Sequence, residues 1–260
     1  MRTPPAPGAA EPAATTHPLF AVGVVMPVRD EARRVARAIR SVRRSLAEAH
    51  VTDSCIVVVA DRCTDGTAAI AHDALRTVGL DRVGLVIEVD HGNVGAARAT
   101  GSRAVLERLG TPPRWTWLLG IDGDSQAPRD WVRRHLAHAD RGTECVSGIV
   151  ELDRAAPAAL RRRFETSYRN AVGHRRHDHV HGTNFGIRGD TLLAADNWPA
   201  LATGEDQALW ARVGSLGRAV AQDPSIIVTT SARLDGRAPA GFSADLAALG
   251  VDQLRVGRAP

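Results

Sequence analysis

Four short apolar runs punctuate the first half of the chain, at residues 19–28, 54–60, 83–89 and 115–121. The second, Cys55-Ile56-Val57-Val58-Val59-Ala60, is nearly continuous, which predicts a strand covered on both faces. Pro27 places the end of the first strand close behind it. Between these runs the pattern changes period. Val35, Ile39, Val42 and Leu46 recur every three or four positions and predict a helix over 31–46. Thr64-Asp65-Gly66-Thr67 opens a second helix reaching about residue 78, and a third covers 94–109 before Thr111-Pro112-Pro113 breaks it. Strands alternating with helices over short links predict an α/β fold, a mostly parallel sheet flanked by helices.

The second half is less regular. Residues 130–139 read as a helix, 145–152 as a strand and 157–173 as an arginine-rich amphipathic helix. Residues 180–187 read as extended, 205–213 as helical and 225–230 as a strand, with a short helix over 242–249. The expected organisation is a disordered Pro/Ala-rich tail at 1–18, one domain over 19–232 and an extension at 233–260. The tail lacks an apolar core of the kind a signal peptide carries.

In parallel sheets, ligands bind beyond the carboxyl ends of the strands. Arg29, Glu31, Asp61, Asp65, Asn93, Asp122 and Asp124 all fall at such ends. Asp122-Gly123-Asp124 sets two carboxylates one residue apart after a strand, a spacing that can hold a divalent cation and through it a diphosphate; alone it also describes an ordinary turn. Glu205-Asp206, after Gly204, offers a general base, or merely two acids in a first helical turn. Asp65 reads better as a turn or cap residue than as a catalytic one. Arg98 has a bland reading, as cover for the surface of its helix. Trp198 suits either stacking on a sugar or anchoring the loop before Gly204.

Composition narrows the chemistry. The chain carries no lysine, which excludes Schiff-base chemistry and a lysine-bearing phosphate loop. Any bound phosphate must be neutralised by arginine, backbone N–H groups or metal. The charges behind the net +4 are interspersed, and the densest arginine clusters lack the aromatic interleaving of a single-strand binder, so no nucleic acid partner is expected. Three isolated cysteines fit a reducing compartment, and no apolar run is long enough to span a membrane. A cytoplasmic location follows, with peripheral contact at the inner face of the membrane through the arginine-rich 161–176 region as a further expectation. His174, His177, His179 and His181 lack zinc-site spacing.

The motifs, in their order, resemble the family 2 glycosyltransferases of GT-A fold, a Rossmann-related architecture. Val24-Val25-Met26-Pro27-Val28-Arg29-Asp30-Glu31 is similar to the family's opening motif, and Val57 to Thr67 to its second strand and turn. Asn93-Val94-Gly95-Ala96-Ala97-Arg98 resembles its asparagine–glycine–arginine segment, Asp122-Gly123-Asp124 its DxD motif and Gly204-Glu205-Asp206 its ED motif. The resemblance, over residues 22–230, implies a metal-dependent inverting hexosyltransferase using a nucleotide-diphosphate sugar. It divides the domain into a nucleotide-donor half at 19–124 and an acceptor half at 125–232. It implies that Pro27, Arg29, Glu31, Asp61, Asn93, Arg98 and Asp122 form the donor pocket, with Asp61 on the base. Asp124, with Asp122, would hold Mn²⁺ or Mg²⁺, with His181 as a further candidate ligand and Arg233 as a candidate phosphate contact. Asp206 would be the base, assisted by Glu205. The donor is expected to be a UDP- or GDP-sugar and the acceptor a glycan, a lipid or a small metabolite. Ala60 stands where the family usually has an acid, Arg62 where glycine is frequent, and the Gln-x-x-Arg-Trp segment is absent. These departures leave the nucleotide open, argue against a processive membrane-embedded synthase and fit a stand-alone actinobacterial-type enzyme. The rival readings are a nucleotidyltransferase, which should carry a glycine-rich loop with a lysine, and a non-catalytic binding protein of the same fold. Oligomeric state has no signature in the chain.

Overall fold

Alternation along the central strands sends side chains to two separate cores. Val22, Val24, Met26 and Val28 pack on one side with Ile56, Val58 and Ala60, whereas Val25 packs on the other with Cys55, Val57 and Val59. Both faces therefore need cover, and helices supply it. The computed structural model describes residues 20–51, 53–79, 84–171, 179–233 and residue 246.

The elements are β1 (Ala21–Val28), α1 (Val35–Glu48), β2 (Ser54–Asp61), α2 (Thr67–Thr77), β3 (Leu85–Val89), α3 (Val94–Leu109), β4 (Thr116–Gly120), α4 (Trp131–Asp140), β5 (Cys145–Leu152), α5 (Ala158–Ala171), β6 (Phe185–Arg188), α6 (Gly189–Ala194), α7 (Glu205–Ser215) and β7 (Val220–Thr230). One seven-stranded sheet runs in the order β3-β2-β1-β4-β6-β5-β7. All pairings are parallel except those of β6 with β4 and with β5. The expected mostly parallel sheet flanked by helices is thus observed, with one reversed strand inside it. Its first core lies against α1, α2 and α4, and its second against α3, α6 and α7.

Pro27 lies within β1 and closes its pairing with β4. The Val25 carbonyl accepts from Ile121 N–H at 3.1 Å on the β4 side, and the register with β4 ends at Val25. The next bond of the parallel ladder would need an N–H at residue 27, facing the same side, which proline lacks, so the pairing stops there.

Several expected boundaries move. The helix expected from residue 31 begins at Val35, because the Glu31 carbonyl accepts from Arg34 and Val35 N–H in a preceding turn. The extended reading of 180–187 fails in its middle: Gly182–Asn184 form a 3₁₀ turn, and only Phe185–Arg188 are strand. Strand β7 starts five residues earlier than its apolar pattern indicated, since Val220–Gln222 pair with Cys145–Ser147 before the apolar stretch begins. Helix α6 had no periodic signal. The 242–249 helix lies outside the described residues except for Leu246, which is buried against Phe164 and Tyr168 in a third core. Residues 175 and 176 of the arginine-rich region also lie outside them. Among the described residues no helix is long and apolar enough to cross a membrane.

Asn184, just ahead of β6, ties β5, β7 and α4 together in the interior. Its amide nitrogen donates to the carbonyls of Ile149 (2.7 Å) and Ile226 (2.9 Å), and its oxygen accepts from Trp131 Nε1 at 2.9 Å. The register shift between Ser147 and Ile149 leaves Gly148 facing this amide; a Cβ there would stand 2.3 Å from Asn184 Nδ2.

Candidate active site

Because β1, β2, β3, β4, β5 and β7 run in one direction, their carboxyl ends share one rim. The reversed strand β6 brings its amino-terminal end, with the Gly182–Asn184 turn, to the same rim. The N-terminus of α7 adds Glu205 and Asp206, positions where the helix dipole favours acids.

A buried arginine organises the site. Arg98, on α3 and 2% exposed, donates from Nη2 to Asp122 Oδ1 (2.6 Å), from Nε to Glu205 Oε1 (3.1 Å) and from Nη1 to the Gly182 carbonyl (3.0 Å). Its guanidinium lies 5.2 Å from the Trp198 ring centroid, so Trp198, buried against Phe185, is an anchor of this cluster. The bland reading of Arg98 as surface cover is therefore overturned. Glycine is needed at Gly120 and Gly182: a Cβ would stand 2.5 Å from the Gly182 carbonyl oxygen in the first case and 2.7 Å from Arg98 Nη2 in the second.

The Gly182 peptide links this cluster to Asp206. Its N–H donates to Asp206 Oδ2 at 2.8 Å, while Asp206 Oδ1 accepts from Gln207 N–H. Asp206 is half-buried and Glu205 is buried. Burial raises the Glu205 carboxyl above its ordinary range; the Arg98 charge opposes this and nearby Asp206 reinforces it.

Asp122 and Asp124 flank Gly123, where a Cβ would meet Val28 Cγ1 at 2.4 Å, so only glycine lets the loop lie against β1. The Asp122 N–H donates to Thr183 Oγ1 at 3.1 Å, and a hydroxyl network joins Thr183, Ser125 and Thr230 at 3.0 and 2.9 Å. Burial pushes the Asp124 carboxyl up to about 6, with Asp122 adding to the shift and Arg233 opposing it. Asp124 Oδ2 meets Arg233 Nη2 at 3.3 Å, and the same nitrogen is ion-paired with Glu31. Asp122 and Asp124 offer oxygen donors only, the kind that a hard divalent cation such as Mn²⁺ or Mg²⁺ takes. Among the described residues no three His, Cys, Asp or Glu side chains converge on one metal position, so other oxygens would have to complete the coordination shell.

The other expected donor-pocket residues are ordered by backbone contacts. Asp61 accepts from the N–H groups of Gly92 (2.8 Å) and Asn93 (3.0 Å), and Asn93 caps α3 by accepting from Ala96 N–H at 2.9 Å. Arg29 is half-buried directly after β1, and Pro27 lies within that strand. Asp65 is a turn residue ahead of α2, whose N-cap is Gly66: it accepts from Ala32 N–H at 3.0 Å, from Thr67 N–H at 3.1 Å and from the Thr67 hydroxyl. Thr67 Oγ1 in turn accepts from the buried Glu31 N–H at 2.7 Å. Thr67→Val keeps the shape but leaves that donor unpaired, so a loss of about 1–2 kcal/mol is expected. An unchanged urea midpoint would contradict it.

His181 is not joined to the carboxylates in a three-ligand set. Its Nε2 meets the Tyr168 hydroxyl at 2.8 Å, and its ring lies in a near-parallel stack with His179 and Tyr168. Residues 174 and 177 lie outside the described residues. Sequence reasoning missed the Gly182 peptide and Thr183, which carry no chemical signature, and gave Arg233 only a minor place. The one available signal was the small, polar His-Gly-Thr-Asn stretch interrupting an apolar pattern.

Residues 23–194 match the family model described as Glycosyl transferase family 2. No curated protein matches the chain in sequence. Among solved structures, the chain is similar to the mannosyltransferase PcManGT from Pyrobaculum calidifontis, in complex with GDP-Man and Mn²⁺. The TM-score is 0.62 at 18% identity, over 88% of this chain and 62% of that one. S. aureus TarS 1-349 in complex with UDP-GlcNAc gives a TM-score of 0.60 at 14% identity, over 84% and 60%. Glucosyl-3-phosphoglycerate synthase from Mycobacterium tuberculosis, in complex with Mg²⁺ and UDP, gives 0.53 at 16%, over 90% and 79%. Such identities show a shared fold. The chain spans about 60% of the length of the TarS 1-349 structure.

Proposed function

The chain belongs to glycosyl transferase family 2, and from this premise we propose that it moves a sugar from a nucleotide-diphosphate donor to an acceptor hydroxyl, with inversion. The observation that carries the reading is the Arg98 cluster, which ties Asp122 on the donor side to Glu205 beside Asp206 through one guanidinium. A donor site and a base are thereby held in fixed relation.

In this proposal Asp206 accepts the proton of the attacking hydroxyl, its carboxylate oriented by the Gly182 N–H. One base acting opposite the leaving group suits single displacement. Glu205 is engaged by Arg98 and serves as a positioning residue. Asp61 contacts the base of the nucleotide, while Pro27, Arg29, Glu31 and Asn93 line the pocket around it. Asp124, with Asp122, would hold Mn²⁺ or Mg²⁺, which when bound supplies positive charge to the leaving diphosphate. His181 remains a candidate further ligand. Neighbours of the same fold are named with GDP-Man and Mn²⁺, with UDP-GlcNAc, and with Mg²⁺ and UDP, which supports a UDP- or GDP-sugar donor. The acceptor is a glycan, a lipid or a small metabolite. An actinobacterial-type enzyme of the cytoplasm, touching the inner face of the membrane, completes the proposal.

Calorimetric titration with UDP and GDP, each with and without Mn²⁺, tests it on wild type and Asp124→Ala. Metal-dependent binding of one nucleotide is expected, weakened about tenfold or more in the variant, since a charged ligand contact is worth roughly 1.5–3 kcal/mol. Binding of neither nucleotide to folded protein would overturn the donor-site reading.

A further inference from the structure

Arg233 follows β7 by three residues and enters the rim from the strand at the far edge of the sheet. Its guanidinium pairs with Glu31, which follows β1, and lies 3.3 Å from Asp124 Oδ2, which follows β4. Both acids are well shielded, at 4% and 12% exposure, against 21% for the arginine. Carboxylates so placed require a counter-charge, and Arg233 provides it from the most exposed position of the three. Its Nη1 is buried without a hydrogen-bond partner, so the guanidinium is one acceptor short in this arrangement. The carboxylate oxygen it holds on Asp124 is also the one facing away from the Ser125 hydroxyl, which meets Oδ1 at 3.3 Å.

We infer that Arg233 is an internal stand-in for the divalent cation: it neutralises Glu31 and Asp124 in the unloaded protein and competes with the metal for Asp124. The inference rests on the proposed role of Asp124 as metal ligand. A cation entering the site must displace the guanidinium from Oδ2, so part of the attraction between metal and carboxylate is spent on breaking an existing charge-assisted contact. The arrangement lowers affinity for free metal and keeps the acids compensated until loading. Arg34 adds a longer ion pair to Glu31, at 3.8 Å on Oε2, and its charge acts on Asp124 more weakly than that of Arg233.

Competition of this kind is read by binding of Mn²⁺ alone, followed through the electron paramagnetic resonance signal of the free ion, in the full chain without nucleotide. Arg233→Gln removes the competing charge and should bind Mn²⁺ about tenfold more tightly than wild type, the scale of one hydrogen bond to a charged group. Arg233→Lys keeps the charge but not the fork, and should fall between the two. Unchanged or weaker Mn²⁺ affinity in Arg233→Gln, with an unaltered circular dichroism spectrum, would overturn the inference, as would absence of Mn²⁺ binding to both forms. A wild type that binds Mn²⁺ but neither UDP nor GDP would overturn the functional reading instead, and the Mn²⁺ comparison would still decide the role of Arg233.

Discussion

Asp206→Asn is expected to slow sugar transfer by about 10²–10⁴-fold, the usual contribution of a positioned general base. The carboxylate has two roles that the amide cannot reproduce together. Its oxygens accept from two backbone donors, Gly182 N–H and Gln207 N–H, both at 2.8 Å. An amide presents an NH₂ group to one of them, so the side chain must rotate or lose a bond, and it has no basic oxygen with which to take a proton. Binding of metal and nucleotide should be unaffected within about threefold, because Arg98 still holds Asp122 and the donor-side loop is untouched. The rate is measured with the donor that calorimetry selects, under saturating conditions, so that the loss is read in kcat. A variant retaining more than about a third of the wild-type kcat would move the base role away from Asp206. Glu205 would be a poor successor, since Arg98 already occupies its Oε1.

Arg98→Met is expected to cost roughly 3–5 kcal/mol of stability at neutral pH, the range found when one partner of a buried ion pair is removed. Methionine fills much of the volume but supplies no charge for Glu205, whose side chain is 7% exposed, and no donor for the Gly182 carbonyl. The penalty should depend on pH in a definite direction. Burial already raises the Glu205 carboxyl above its ordinary 4.5, and loss of Arg98 raises it further. An acid whose folded-state pKa lies above its unfolded value destabilises the fold once both states are ionised. It ceases to do so as pH falls towards the unfolded value. The difference between wild type and variant in urea denaturation should therefore be largest near pH 7 and shrink towards pH 4.5. A loss below about 1 kcal/mol, or one independent of pH, would show that Arg98 acts by packing against Trp198 rather than by charge.

Much of the rim beyond β1, β2 and β4 was legible because its signals are local. The β1, β2 and β4 segments announce themselves as apolar runs, and Asp61, Asp122 and Asp124 follow directly from where those runs stop. Parallel pairing then places them on one rim without further information. Asp65 was legible as a turn residue for the same reason, since its bond to Thr67 N–H spans only two positions, whereas its bond to Ala32 N–H left no mark in the chain. Asp206 was found from an acidic pair at a helix start, although its dependence on Gly182 was not. The second half resisted because β6 is only four residues long, and the turn leading into it interrupts any period that could have marked it.

Apolar spacing along the chain specifies the alternation of strands and helices, the parallel central sheet and the set of acids at its carboxyl edge. These depend on the spacing of apolar residues and on turn residues within a few positions of one another. Which charges meet depends on the folded arrangement alone. Arg98 reads the same on a helix surface as in a buried cluster until Asp122 and Glu205, 24 and 107 residues away, are brought to it. Arg233 reads as the start of a weakly patterned segment until the edge strand carries it to Glu31 and Asp124. Charge pairing over such separations leaves no period in the chain, because Coulomb attraction depends on distance in space and on burial, and both exist only once the sheet has closed around them.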